Sequence, residues 1–153
     1  MEKTYDLKYT TAEEAVKIVK SGDRLHWPCV AAAPELLIQA LVARAPELQN
    51  VHITHLYTEG YADYVLPQYA DNFHLDSFFV GGNVRKATQT GYADYIPCSL
   101  SDTARIIRDG FQPTDGVFLT VSEPDEEGYV SLGTSVDCTL AAVEQAHYVI
   151  AQV

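Results

Sequence analysis

The sequence predicts an α/β protein: an open, mostly parallel sheet with helices on both faces. Three observations carry that expectation. Short apolar runs of strand length alternate along the chain with stretches of helical periodicity. Glycine or proline punctuates nearly every boundary between them. The 153 residues are 47% hydrophobic, enough apolar material for the core of one domain.

The elements follow in order. Thr11 with Glu14 three positions on fits a capping box, ahead of a helix whose buried stripe is Ala15, Ile18 and Val19. Ser21-Gly22-Asp23 closes that helix, and residues 24–30 read as a strand. A second helix starts through Ala31-Ala32-Ala33-Pro34 with Pro34 near N1, buries Leu37, Ala40 and Leu41 flanked by Leu36 and Ile38, and ends before Pro46. Residues 51–57 are the next strand. Residues 58–73, rich in Tyr, Asp and Gly, read as a loop with a short helix near 63–69, broken at Pro67. Residues 75–80 look like a buried strand, ended by Gly81-Gly82. A helix over 83–89 stops at Gly91, and 93–97 is a short strand. A helix over 101–109, capped by Ser101 and closed by Gly110, precedes a strand at 117–121. After a turn around Gly128, Val136, Leu140 and Val143 mark a last helix, and 148–153 a last strand. The chain thus finishes inside an apolar run. Domains rarely end on a bare strand, so the sequence reads as the first part of something longer.

With 21 acidic against 10 basic residues the net charge is −11. Nucleic acid and anionic membrane are excluded as partners, because counterion release needs clustered Lys and Arg. The same balance disfavours this chain alone as the grip on a polyphosphate. No apolar run approaches the length that spans a bilayer, and no secretory leader opens the chain. Cys29, Cys98 and Cys138 are odd in number and far apart, with no CxxC. They read as free, packed thiols in a cytoplasmic protein.

The stretch 117–146, VFLTVSEPDEEGYVSLGTSVDCTLAAVEQA, is the most informative part of the chain. It puts polar groups at the carboxyl end of a buried strand, where open α/β sheets bind ligands. Together with SGDRLHWPCVAAAP (21–34), the block from Tyr57 to Ser101 and YVIAQV (148–153), it resembles the amino-terminal domain of acetyl-CoA hydrolases and CoA-transferases, the 4-hydroxybutyrate CoA-transferase type in particular.

The resemblance implies an enzyme of two similar α/β domains that moves coenzyme A (CoA) between short-chain carboxylic acids such as 4-hydroxybutyrate, butyrate and acetate. A glutamate attacks the acyl-CoA thioester, forms an acyl anhydride and becomes a glutamyl-CoA thioester, and the second acid reverses the steps. That glutamate and most of the CoA site are implied to lie in a carboxyl-terminal domain, leaving no catalytic residue in this chain, which alone should not turn over. CoA is then a substrate, with no tightly bound cofactor. The carboxyl-terminal domain and further copies of the enzyme are the expected partners. Water as acceptor would make the same fold an acyl-CoA hydrolase. A binding or assembly module with no catalysis is the reading from another class.

Seven residues are candidates for lining the substrate cleft: Tyr57, Glu59, Asn83, Arg85, Pro28, Val30 and Ser99. Gly81-Gly82-Asn83-Val84-Arg85 follows a strand and opens a helix, so backbone can approach a ligand, with Asn83 as donor and Arg85 as counter-charge to a carboxylate. The alternative is a plain turn with a solvated arginine. The GGN run does not match a phosphate loop. Glu59, just after a strand, reads as cleft lining or a turn cap more readily than as a nucleophile. Pro28 and Val30 are small enough to leave room for an acyl chain. Cys29 reads as an inert thiol, since residues an odd number apart on a strand point to opposite faces and deny it nearby His26 as a base. Ser99 and Ser122 either reach the cleft or cap turns. Tyr57, Tyr61, Tyr64 and Tyr69 read as interface or pocket wall. Asp125-Glu126-Glu127 is a solvated turn. His52 and His55 are three apart on a strand, on opposite faces, and no metal site is expected.

Overall fold

A computed structural model describes residues 8–153. Six strands form one sheet: β1 (Arg24–His26), β2 (Val51–His55), β3 (Phe73–Ser77), β4 (Ala93–Tyr95), β5 (Gly116–Thr120) and β6 (Tyr148–Gln152). Their order is β4-β3-β2-β1-β5-β6, and all five pairings are parallel. The five helices are α1 (Ala12–Ala15), α2 (Glu35–Ala43), α3 (Arg85–Thr90), α4 (Leu100–Arg108) and α5 (Thr139–Gln145), with single 3-10 turns between some elements.

Two apolar layers sandwich the sheet. Leu37, Ile38 and Leu41 of α2, with Val16, Val19 and Ala87, pack on one face around Trp27, Ile53 and Phe118. Ile107 of α4 and Ala141 and Ala142 of α5 pack on the other with Val117 and Leu119. Strand β5 alternates between the two, Phe118 one way and its neighbours the other, as its period of two requires. Its residues Gly116–Leu119 are all buried, which is why this strand reads as a continuous apolar run.

Strand boundaries are tighter than the sequence suggests. Strand β1 stops at His26, four residues early, because Trp27 turns into the core and Val30 opens a 3-10 turn. Strand β2 stops at His55 and β4 at Tyr95. Strand β3 covers Phe73–Ser77 instead of 75–80. Phe73, Leu75 and Ser77 face the core while His74 and Asp76 face the other way, an alternation hidden by the apolar run that follows it.

Helices also differ in detail. The first is one α-turn tightened into a 3-10 turn, so Val16 and Val19 are buried and Ile18 is exposed. Thr11 accepts from the Glu14 N–H at 3.3 Å, but the Glu14 carboxylate pairs with Lys17 and does not close the box. Pro34 occupies the N-cap of α2, one place before N1, and Leu36 points to solvent. Helix α3 begins at Arg85 and ends at Gly91, whose φ of +81° makes the left-handed cap. Ser99, not Ser101, sits at the N-cap of α4. Helix α5 starts only at Thr139, because Asp137 has φ +41° and breaks any earlier turn. Its buried residues are Thr139, Ala141 and Ala142, while Val136 and Leu140 are exposed. Small side chains let α5 lie close against α4 and β5.

Candidate functional site at the carboxyl ends of the strands

The strand order reverses between β1 and β5. From β1 the chain steps outward through β2, β3 and β4, then returns to the other flank of β1 for β5 and β6. Loops leaving neighbouring strands on either side of such a point run in opposite directions and open a crevice at the carboxyl ends. The loops after β1, β2, β3 and β4 carry six of the seven candidate residues, and Arg85 opens the helix that follows β3.

Four of them lie close in space. Tyr57, after β2, donates its phenolic O–H to Glu59 Oε1. That bond pushes the Tyr57 hydroxyl above its usual pKa, with the Arg85 charge acting in the opposite sense. Asn83 Nδ2 donates to the Gly60 carbonyl at 3.3 Å, tying the β3 loop to the β2 loop. The two loops meet at Gly81, where a Cβ would lie 2.8 Å from the Thr58 carbonyl oxygen and 3.0 Å from the Tyr57 ring. Only a residue without a side chain permits that approach.

Beside this polar group runs an apolar groove of about 410 Å³ lined by Leu56, Tyr57, Phe78, Phe79, Cys98, Leu100 and Thr103. Its size is in the range that takes a small ligand. Tyr57 and Phe79 meet edge to face at 5.4 Å and form one wall. Phe79 and Leu100 are more than half exposed. The sequence reading missed Phe78, Phe79 and Leu100, having assigned the first two to a strand interior and left the third outside its helix.

Pro28 and Val30 flank the reversal point. Pro28 is buried, while Val30 is on the surface with φ +42°, a conformation a β-branched residue rarely holds. Its N–H bonds the Tyr57 carbonyl at 3.3 Å, which links the β1 loop to the Tyr57 group. Ser99 stands apart from that group: its hydroxyl donates to Asp102 Oδ2 at 2.6 Å and lies 3.1 Å from Ser101 Oγ. Ser122 is likewise spent on its own turn, accepting from the Ser131 N–H at 2.9 Å.

Cys29 is buried, and burial pushes its thiol up to about 12, with Asp137 alongside acting in the same direction. The sulfur nearest His26 Nε2 is that of Cys138, at 4.0 Å, and burial drives His26 down to about 4. Neither group is set up to make a thiolate. Tyr64, expected at an interface or pocket wall, is a core residue packed edge-on against Trp27 at 5.1 Å.

His52 and His55 do point to opposite faces. His55 is buried beside Tyr64, its Nε2 3.1 Å from the phenolic oxygen. His52 faces Asp76. Among the described residues, one group of side chains has the spacing of metal donors: His74, Asp76 and Asp94, on the sheet face remote from Tyr64.

No helix among the described residues is long and apolar enough to cross a membrane. The sequence pattern described as acetyl-CoA hydrolase/transferase N-terminal domain matches residues 1–153. The chain is 34% identical to a 4-hydroxybutyrate coenzyme A transferase of Clostridium kluyveri over 152 residues, 99% of this chain and 35% of that protein. It is 36% identical to a succinyl-CoA:acetate/propanoyl-CoA:succinate CoA transferase of Fasciola hepatica over 146 residues, 94% of this chain and 30% of that protein. The crystal structure of RipA from Yersinia pestis superposes with a TM-score of 0.83 at 25% identity, covering 93% of this chain and 35% of that one. The chain therefore spans about a third of the length of these relatives.

Proposed function

We propose, for a chain that belongs to the acetyl-CoA hydrolase/transferase N-terminal domain family, that it forms one lobe of a CoA-transferase exchanging CoA between short-chain carboxylic acids. The observation that carries this reading is the apolar groove beside Tyr57, Glu59, Asn83 and Arg85 at the strand ends. The groove takes the short acyl chain. Arg85 supplies positive charge for the incoming carboxylate, and Asn83 holds the loop that presents it. The Tyr57–Glu59 hydrogen bond keeps the aromatic wall in place.

The covalent chemistry belongs to a carboxyl-terminal domain of the same enzyme, acting in the cytoplasm as a homo-oligomer. There a glutamate carboxylate attacks the thioester carbonyl and expels CoA as the thiolate, leaving an acyl-glutamyl anhydride. The thiolate then attacks the glutamyl carbonyl, releases the first acid and forms glutamyl-CoA. The second acid returns by the same two steps. This lobe contributes by excluding water from the acyl group, which would otherwise divert the anhydride to hydrolysis. The apolar lining supports an acid over water as acceptor.

The test uses the full-length enzyme with butyryl-CoA, with and without acetate. Acetyl-CoA formation that requires acetate, with a glutamyl-CoA adduct on a peptide beyond residue 153, supports the reading. CoA release at the same rate without any acid makes the protein a hydrolase. Exchange by residues 1–153 alone, abolished by Glu59→Gln, would move the nucleophile into this lobe and overturn it.

A further inference from the structure

A second constellation lies on the sheet face opposite Tyr64. Strand register sets His52 opposite His74 and Asp76 opposite Asp94. His74 Nε2 is 3.0 Å from Asp94 Oδ2 and 3.6 Å from Asp76 Oδ1. The other oxygen of Asp76 is 3.0 Å from His52 Nδ1 and 3.4 Å from Gln112 Nε2, which also donates to Thr54 Oγ1 at 2.8 Å. One donor atom each from His74, Asp76 and Asp94 lies within 4.8 Å of the other two.

Two features of this group point to a cation. Like charges directly opposite on neighbouring strands repel, yet Asp76 and Asp94 are register partners, and Asp76 is only 16% exposed. Among the described residues neither carboxylate pairs with a lysine or arginine; their partners are histidines. A neutral imidazole carries at most one hydrogen on Nε2, so hydrogen bonding from His74 serves one carboxylate well and the other poorly. The spacing suits a metal better. Tetrahedral zinc with bonds near 2.0–2.1 Å sets its ligand atoms about 3.3 Å apart. The two separations from His74, 3.0 and 3.6 Å, bracket that value, and the two carboxylate oxygens lie within 4.8 Å of each other.

We propose that His74, Asp76 and Asp94 bind one divalent transition-metal ion, with zinc the ion their donor set suits. An imidazole nitrogen argues against magnesium and calcium, which prefer all-oxygen shells. His52 and Gln112 orient Asp76 from behind, as outer-shell partners do. Water completes the coordination from the open side, where Asp94 is 71% exposed. The ion fastens β4, a three-residue strand at the edge of the sheet, to β3. It neutralises two facing carboxylates in a chain of net charge −11. Its place across the β3–β4 register makes it a structural clamp.

The test is calorimetric titration of the chelator-stripped protein with zinc, with magnesium as control, and with cobalt as a visible-absorption probe of coordination. One zinc per chain, a rise in thermal midpoint on binding and intense cobalt bands are expected. Asp94→Asn and His74→Gln should each weaken binding by more than the roughly 10- to 100-fold that an outer-shell change alone costs. His147→Gln, at the exposed His147–Asp115 pair, should leave it unchanged. Absence of zinc binding, or binding unaltered in both Asp94→Asn and His74→Gln, would overturn the proposal.

Discussion

Gly81 and Thr58 touch backbone to backbone: a Cβ on Gly81 would lie 2.8 Å from the Thr58 carbonyl oxygen. The obstacle is main chain, which cannot swing aside. Gly81→Ala should therefore push apart the loops after β2 and β3. A cost of about 1–3 kcal/mol is expected, the usual range for overpacking. Gly82→Ala, with open space around its Cβ, is the matched control and should cost far less. Urea unfolding of the pair checks the difference, and a Gly81→Ala protein as stable as its control would contradict the close approach.

Arg85 stands at the start of α3, near enough to Tyr57 of the groove wall for its charge to act on that phenol. If it pairs with the acid substrate, Arg85→Ala in the full enzyme should raise the KM for the acid about tenfold or more, the scale of a lost charge-assisted hydrogen bond. The KM for acyl-CoA should move less. An unchanged KM for every acid tested removes Arg85 from the site.

His26 and His55 titrate far from the ordinary histidine range. Burial lowers His26 from 6.5 to about 4, and burial followed by the nearness of His26 lowers His55 to about 3. The unfolded chain takes up both protons near 6.5 while the folded chain refuses them. Stability from the neutral rings is complete above 6.5 and is lost as pH falls toward those folded values. Each ring should steepen the pH dependence by up to about 1.4 kcal/mol per pH unit between 6.5 and 4. Chemical denaturation across that window checks it, and His26→Gln should reduce the slope by about one proton.

Thiol reactivity should follow burial. Cys29 and Cys138 are buried, with pKa values raised to about 12 and about 11, whereas Cys98 is only partly covered. Iodoacetamide at mildly alkaline pH should label Cys98 first, the others lagging by orders of magnitude because little thiolate forms. Peptide mapping by mass spectrometry reads the order. Early labelling of Cys29 would put an accessible thiol at the reversal point.

Gly116 receives the ring of Tyr148, whose hydroxyl donates to Asp23 Oδ2 at 2.7 Å. A Cβ at 116 would lie 2.3 Å from that ring, and the Asp23 bond resists its movement. Gly116→Ala should cost about 1–3 kcal/mol. Tyr148→Phe should cost less, near 1 kcal/mol for the lost hydrogen bond. Equal stability of Gly116→Ala and the parent protein in urea would count against this contact.

The alternation of strand and helix was legible because each strand is bounded by glycine, proline or a polar turn. Gly91 illustrates it, ending α3 where the sequence placed the stop. What sequence could not convey was relation between distant segments. His74 and Asp94 sit on different strands, and only register brings them to 3.0 Å. Phe78 and Phe79 look like strand interior because apolar residues lining a groove resemble those filling a core. The last helix misled for a related reason. Val136 lies before its first turn and Leu140 is exposed, while its alanines are buried. Periodicity of bulky side chains fails where close packing selects small ones.

Strand β1 pairs with β2 on one side and β5 on the other, and its Arg24 N–H reaches Asp115 Oδ2 across 91 residues of chain. During synthesis β1 to β4 can assemble on the ribosome well before β5 emerges. Until then one flank of the innermost strand stays open, and its closure waits on a contact of long sequence separation. A chain interrupted between residues 96 and 115 would therefore present that flank of β1 as an unpaired edge, open to pairing with other chains.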